Sequence, residues 1–266
     1  YYTSNELMDS AKELAIQLIR HDALYRSGRA KISDAEFEDL KRSLIKIDPN
    51  HPALRQLTEE VVLQGLDTPL LHEWYEEINR GFRRSAQVVV QPKIDGCAIQ
   101  LKYIDGFLKA AYTRKGSDKL YAILSVKNIP STIPQKGEVS IRGELYGLGF
   151  SPETSQRLAA GHLRKKDPTG DGLVFAGFEI VGTRLDEIEQ SKQLSKWGFH
   201  TLDTLRVKGK VIEVVKVIHE RWKDSLVFAK YPTDGIVIKV EHRAIATEIN
   251  SDSSKPWSQI AIKAYY

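Results

Sequence analysis

The sequence predicts an α+β fold, with antiparallel sheets and scattered helices behind a small helical unit. Three observations lead there. The first 50 or so residues carry apolar side chains at helical spacing. After Ala86 the pattern turns to period two, with β-branched runs. Asp105-Gly106, set between two such runs, is a tight-hairpin signal.

The elements follow in order. Residues 4–25 read as an amphipathic helix, with Leu7, Ala11, Leu14, Leu18 and Tyr25 at helical spacing and Thr3 with Glu6 as a capping box. A short polar link, residues 27–31, leads to a second capping box, Ser33 with Glu36. The helix behind it carries Phe37, Leu40, Leu44 and Ile47 on one face, and Asp48-Pro49-Asn50-His51-Pro52 stops it. Strands are expected at 87–91, 97–103, 107–113, 138–146, 173–181, 200–207, 234–240 and 258–264, the first breaking at Pro92. Helices are expected at 152–160, 184–197 and 211–223, and a loop at 251–256. The sequence has no internal repeats and no low-complexity tracts.

Composition narrows the classes. The chain has 266 residues, a formal net charge of +4 and 41% hydrophobic residues, the profile of a globular protein that tolerates a polyanionic partner. Its single cysteine, Cys97, excludes an internal disulfide and any multi-cysteine zinc site. No apolar run approaches the 18 residues that span a membrane. The first residues lack both an initiator Met and the basic-then-apolar pattern of a signal peptide, so a processed or excised piece is expected.

Charges stand where a strand pattern does not call for them. Lys93 and Asp95 flank the first hairpin. Arg142 and Glu144 interrupt an apolar strand, as Lys263 does. Asp234 and Lys239 bracket Gly235-Ile236-Val237-Ile238. Each alone reads as a solvent-facing residue. Together, three lysines, an arginine and several carboxylates suit a phosphate ester: lysines neutralise its oxygens, and carboxylates hold a divalent metal. A lysine can also be the nucleophile once burial and neighbouring cations bring its pKa down from about 10.4. Lys239, Lys263 and a metal would do this for Lys93.

In order along the chain, these segments resemble the motifs of the covalent nucleotidyltransferase superfamily of DNA ligases, RNA ligases and capping enzymes. Lys93-Ile94-Asp95-Gly96 resembles motif I, and Ile141-Arg142-Gly143-Glu144-Leu145-Tyr146 motif III. Asp234 to Lys239 resembles motif IV, and Ile260-Ala261-Ile262-Lys263 motif V. Further segments are similar to the NAD-dependent DNA ligases: the form of motif IV, Ala160 to Pro168, Thr113-Arg114, and the leader pair Leu24-Tyr25 and Ile32 to Leu40. That leader resembles the helical subdomain that recognises the nicotinamide mononucleotide (NMN) half of NAD, which ATP-dependent ligases lack. The chain departs from the family at Arg26, Phe37 and Glu38 in the leader, at Gln91, at Leu226, and in the shortened segments after Arg114 and ending at Arg157. These departures resemble the shorter, B-type group.

The resemblance implies a helical NMN-recognition subdomain and linker over 1–65. It implies an antiparallel-sheet adenylation domain of the DNA ligase/ATP-grasp-like type over 66–266. In it Lys93 would attack the adenylyl phosphorus of NAD and form lysyl-AMP. Asp95 would orient Lys93 and contact the ribose, and Gly96 would let the backbone approach the nucleotide. Glu144 would bind ribose or metal, and Asp234 would bind Mg²⁺. Lys239 and Lys263 would neutralise the α-phosphate. Gln91, Arg114, Tyr25 and Asp34 would line the NAD site, Arg164 would meet DNA, and Trp74, Tyr146 or Phe178 would stack on adenine. The partner would be nicked duplex DNA, met by a monomer in the cytoplasm, near the nucleoid. An OB-fold would follow in the parent protein, and without it this piece would seal nicks poorly or not at all. Two other readings stand beside this one: an ATP- or GTP-using ligase or capping-type enzyme, and a nucleotide- or DNA-binding relative without catalysis.

Overall fold

The computed structural model describes residues 4–55, 66–80, 85–251 and 258–263, with side chains from residue 8 onward in the first helix. Helix α1 (Ser4–Arg26) buries Ala11, Ala15, Leu18, Ile19 and Ala23 along one stripe, the faces that meet at three- and four-residue spacing. It ends where Gly28 adopts a φ of 70° and the Arg29 N–H closes on the Leu24 carbonyl. Helix α2 (Asp34–Ile47) starts on the expected capping box, with the Ser33 N–H donating to Glu36 and the Glu36 N–H to Ser33 Oγ. Leu44 is buried, and Phe37, Leu40 and Ile47 pack beside it. Thr3 and residues 252–256 of the expected loop lie outside the described residues.

Two sheets follow, and together with the helices they make the α+β class expected. The first, in order β7-β1-β8-β9, contains β1 (Val88–Ile94), β7 (Leu205–Arg206), β8 (Thr233–Val240) and β9 (Gln259–Ile262), all antiparallel. The second, in order β3-β2-β4-β5-β6, contains β2 (Cys97–Ile104), β3 (Phe107–Thr113), β4 (Glu138–Gly147), β5 (Leu173–Ile180) and β6 (His200–Thr201). It is antiparallel except at β5–β6. The β2–β3 turn is the Asp105-Gly106 hairpin, both residues at positive φ.

Two expectations are corrected. β1 does not break at Pro92 but runs through it to Ile94. Its neighbour β7 covers only Val89 and Val90, so Pro92 pairs with β8 alone and its missing N–H costs no ladder bond on the other side. The expected strand 200–207 is two short strands. Leu202-Asp203-Thr204 between them carries the chain from the second sheet to the first.

The first sheet packs Val88, Val90, Ile94, Ile236, Ile238, Ile260 and Ile262 in one core with residues of α3 (Leu71–Asn79), α7 (Val211–Lys223) and α8 (Arg243–Ser251). The second sheet buries Ile99, Leu101, Ile141, Leu145 and Phe175 in another. That core is continuous with Ala15, Leu18, Ile19 and Leu44 of the helical leader and with α4 (Leu120–Ile123). Arg26 pairs with Asp118, and Arg29 Nη1 donates to the Lys165 carbonyl at 2.6 Å, fastening the leader at its rim.

Candidate active site

The cleft residues come from the strand faces that the cores leave over. In β1, Val88, Val90 and Ile94 point to the core, so Val89, Gln91 and Lys93 share the other face. Register places Gly235 opposite Lys93 and Lys239 opposite Val89. In β9, Ile260 and Ile262 face the core, so Lys263, one residue further, turns with Ala261 toward the cleft.

Asp234 would not reach this face by simple alternation, because parity puts it with Ile236. The β1–β8 ladder steps from Lys93↔Gly235 to Ile94↔Thr233, leaving Asp234 as the extra residue of a bulge. A bulge re-aims the side chain it carries. Here it sets the Asp234 carboxylate between two lysines, with Lys93 Nζ at 2.8 Å from one oxygen and Lys263 Nζ at 3.1 Å from the other. His219, buried in α7, hydrogen-bonds through Nε2 to the Lys263 carbonyl and fixes that end of β9.

Asp95 and Gly96 join β1 to β2 and hence one sheet to the other. The Asp95 N–H donates to the Pro232 carbonyl at 2.8 Å, and Ser155 Oγ donates to the Asp95 carbonyl at 2.8 Å. A Cβ on Gly96 would lie 2.2 Å from the Leu145 carbonyl oxygen, so glycine is required there by the approach of β4. Glu144 stands on β4 between Ala98 of β2 and Ala176 of β5, small neighbours that leave its carboxyl room, and the Gly96 N–H donates to it.

The charges are unevenly compensated. Burial pushes the Glu144 carboxyl up to about 8, with Asp95 and Asp234 adding to the shift and Lys93 opposing it. Burial and then Asp234 raise the Asp95 carboxyl. Burial works the same way on Asp234, but the hydrogen bonds and charges of Lys93 and Lys263 outweigh it and hold that carboxyl below its ordinary value. The Cys97 thiol is pushed up to about 11 by burial and by Glu144, so it stays protonated.

The structure thus brings together Lys93, Asp95, Gly96, Glu144, Asp234 and Lys263. Lys239 stands apart, four residues along β1 from Lys93, roughly 13 Å at the strand rise. There its ammonium lies 4.9 Å from the centre of the Phe178 ring and 3.5 Å from Glu187. Gln91 is buried and donates to Thr204 Oγ1 at 2.9 Å. Of the three aromatic candidates, Trp74 and Tyr146 are core residues, and Phe178 is half-buried with Lys239 over it. Tyr25, Asp34 and Arg114 are exposed, and the hydrogen bonds and ion pairs of the Lys93–Asp234–Lys263 cluster among the described residues do not include them. Arg164 is exposed as well, with its charge felt at Cys97. Glu187 was not foreseen: in sequence it is one of several acidic residues opening a helix. A cavity of about 540 Å³ lined by Tyr75, Gln87, Arg206 and Lys208 opens at the opposite end of β1 from Lys93.

A strand-end lysine with flanking carboxylates and a second lysine, set where two largely antiparallel sheets join, is an arrangement suited to attack on a phosphate ester. Residues 62–149 match the model of the NAD-dependent DNA ligase adenylation domain family. The DNA ligase of Clostridioides difficile is 29% identical over 91% of this chain and 43% of its own length. That of Borrelia garinii is 31% identical over 74% of this chain and 33% of its own length. A looser structural likeness, TM-score 0.43 at 12% identity, links 66% of this chain to 62% of the ATP-dependent DNA ligase from bacteriophage T7. Residues 62–149 thus carry the likeness to the NAD-dependent DNA ligase adenylation domain family, and the chain spans under half the length of the curated relatives it matches.

Proposed function

We propose that this chain performs the first step of DNA ligation, self-adenylation from NAD. The observation that carries the reading is the Asp234 carboxylate, which the bulge sets between Lys93 and Lys263 on the cleft face. The deprotonated Lys93 Nζ attacks the adenylyl phosphorus of NAD. A nitrogen–phosphorus bond forms, the bridging phosphorus–oxygen bond breaks, NMN leaves with that oxygen as its phosphate, and the attacking nitrogen gives one proton to solvent. Lys263 neutralises charge on the phosphate. Asp95 orients Lys93, the ribose lies between Asp95 and Glu144, and the base reaches along β1 past Gln91 toward Phe178 and Lys239. The helical subdomain with its linker, residues 1–65, serves the NMN half through Tyr25 and Asp34, and residues 66–266 carry the chemistry.

Glu144 and Asp234 are the groups that would hold Mg²⁺. They are hard oxygen donors whose charges act on one another. Mg²⁺ commonly takes one or two protein carboxylates and completes its shell with water and substrate phosphates. When bound, such an ion polarises the phosphate under attack. The adenylate then passes to the 5′-phosphate of nicked duplex DNA, with Arg164 and Arg114 as phosphate contacts and the protein acting as a monomer in the cytoplasm.

Incubation with NAD labelled in the adenylate tests the reading. The label is expected on the protein, acid-labile, and absent from Lys93→Ala. A label retained by Lys93→Ala, or none on the unsubstituted chain, would overturn it. Labelling from ATP in place of NAD would instead support an ATP-using enzyme.

A further inference from the structure

Glu187 has no part in the scheme above, yet it is the group that holds Lys239. It opens helix α6 (Glu187–Lys196), and a staple between the two sheets fixes its place. Its own N–H donates to the Glu241 carbonyl just past β8, at 3.1 Å. The N-cap Asp186 accepts from the Arg243 N–H at 2.8 Å and lies 3.2 Å from His242 Nδ1. Arg243 Nε donates to the Thr183 carbonyl at 3.1 Å. Helix α6 packs on β5, whereas residues 241–243 continue β8, so this staple ties the second sheet to the first at the Lys239 end.

From that anchored position the Glu187 side chain, 12% exposed, reaches Lys239 Nζ at 3.5 Å. Among the described residues neither side chain makes a shorter hydrogen bond, and Glu187 Oε2 is buried without one. A buried ion pair this loosely satisfied is a poor stabilising device. It leaves ammonium donors unspent beside an aromatic ring.

The geometry points to Glu187 as the positioning residue of Lys239. It holds the ammonium against Phe178 so that one N–H is presented to an acceptor nitrogen of a purine stacked on that ring. This rests on the proposed nucleotide site and adds a residue to it. The spacing agrees: Lys239 lies too far along the strand for the phosphate at Lys93, and on the side where ribose and base would extend.

Single-turnover labelling of Lys93 over a range of NAD concentrations tests it. Glu187→Gln keeps the shape and removes the charge. It is expected to raise the half-saturating NAD concentration roughly tenfold, the worth of one charge-assisted hydrogen bond. The rate at saturation should stay within about twofold, because the lost contact is made equally before and during reaction. Lys239→Gln should show the same split, and the double variant should be no worse than Lys239→Gln alone. A fall in the saturated rate with unchanged half-saturation, or effects that multiply in the double variant, would overturn the positioning role. Glu187→Leu, with the same expected outcomes, serves if Glu187→Gln does not fold. No label on the unsubstituted chain takes down the adenylation reading as well. A labelled chain with multiplying effects takes down only the role of Glu187.

Discussion

Replacing Asp234 by asparagine keeps the shape of the side chain and removes the charge that Lys93 and Lys263 share. The Lys93 contact, at 2.8 Å, joins side chains 24% and 27% exposed, whereas Lys263 is 55% exposed. The first contact is therefore partly desolvated, and the second is largely screened. Exposed pairs contribute about 0–1 kcal/mol, and removing one partner of a fully buried pair costs about 3–5 kcal/mol. For this intermediate case we expect Asp234→Asn to cost about 1–2 kcal/mol, or a fall in Tm of roughly 3–6 °C in a chain of this size. The pH sign follows from the depressed carboxyl. Its contribution is present above the unfolded value of about 3.9 and is lost as pH falls through the folded value. The gap in Tm between variant and unsubstituted chain should thus be full at pH 6–7 and shrink as pH falls below the unfolded value of about 3.9. In the labelling assay the variant should form lysyl-AMP at least about a hundredfold more slowly, the usual loss when a charge-stabilising group leaves a reaction centre. Melting curves across pH and single-turnover labelling check the two halves. A variant as stable as the unsubstituted chain at pH 7, or one that labels within threefold of it, would refute the role given to the bulge.

Two further expectations concern the same cleft. Gly96→Ala forces a Cβ to 2.2 Å from the Leu145 carbonyl, so the join between the sheets must open; we expect a loss of about 3 kcal/mol or more, read by denaturant unfolding. Glu144→Gln removes a carboxylate whose ionisation the fold opposes. A raised folded value gives stability that is lost as pH climbs from the unfolded value to about 8, so the variant should gain Tm relative to the unsubstituted chain over that range while losing lysyl-AMP formation.

The fold was legible where local chemistry decided it. Ser33 with Glu36 and Asp105-Gly106 act within a few residues of themselves, and both appear as expected. The nucleophile cluster was legible from ordered motifs, but not its geometry. Period two places Asp234 with Ile236, and only the long-range register of β8 against β1 shows the extra residue that turns it. Gly96 was read as giving access to a nucleotide; its tightest constraint is the β4 backbone. Lys239 and Lys263 look equivalent in sequence, yet their strands deliver them to different ends of the cleft. Glu187 was hidden for a plainer reason: acidic residues at a helix start need no partner to be explained. The break at 202–204 has one local sign, Asp203, but Leu202 is apolar and Thr204 a strand former, and only long-range pairing shows the change of sheet.

The leader's core has a consequence for how such a protein can be altered over time. Leu18, Ile19 and Leu44 are buried in the same cluster as Leu101 and Ile123. At about 2 kcal/mol each, their burial is worth about 6 kcal/mol, divided between the packing of α1 on α2 and the seam with α4, and even a part of it is a large share of a typical domain's net stability. The leader is therefore not a cassette that recombination can exchange between relatives one piece at a time. A transplanted leader would have to arrive with its own matching α4 and sheet surface. Substitutions on the two sides of that seam should accumulate as compensating pairs, even though the chemistry they support lies on the opposite face of the sheet.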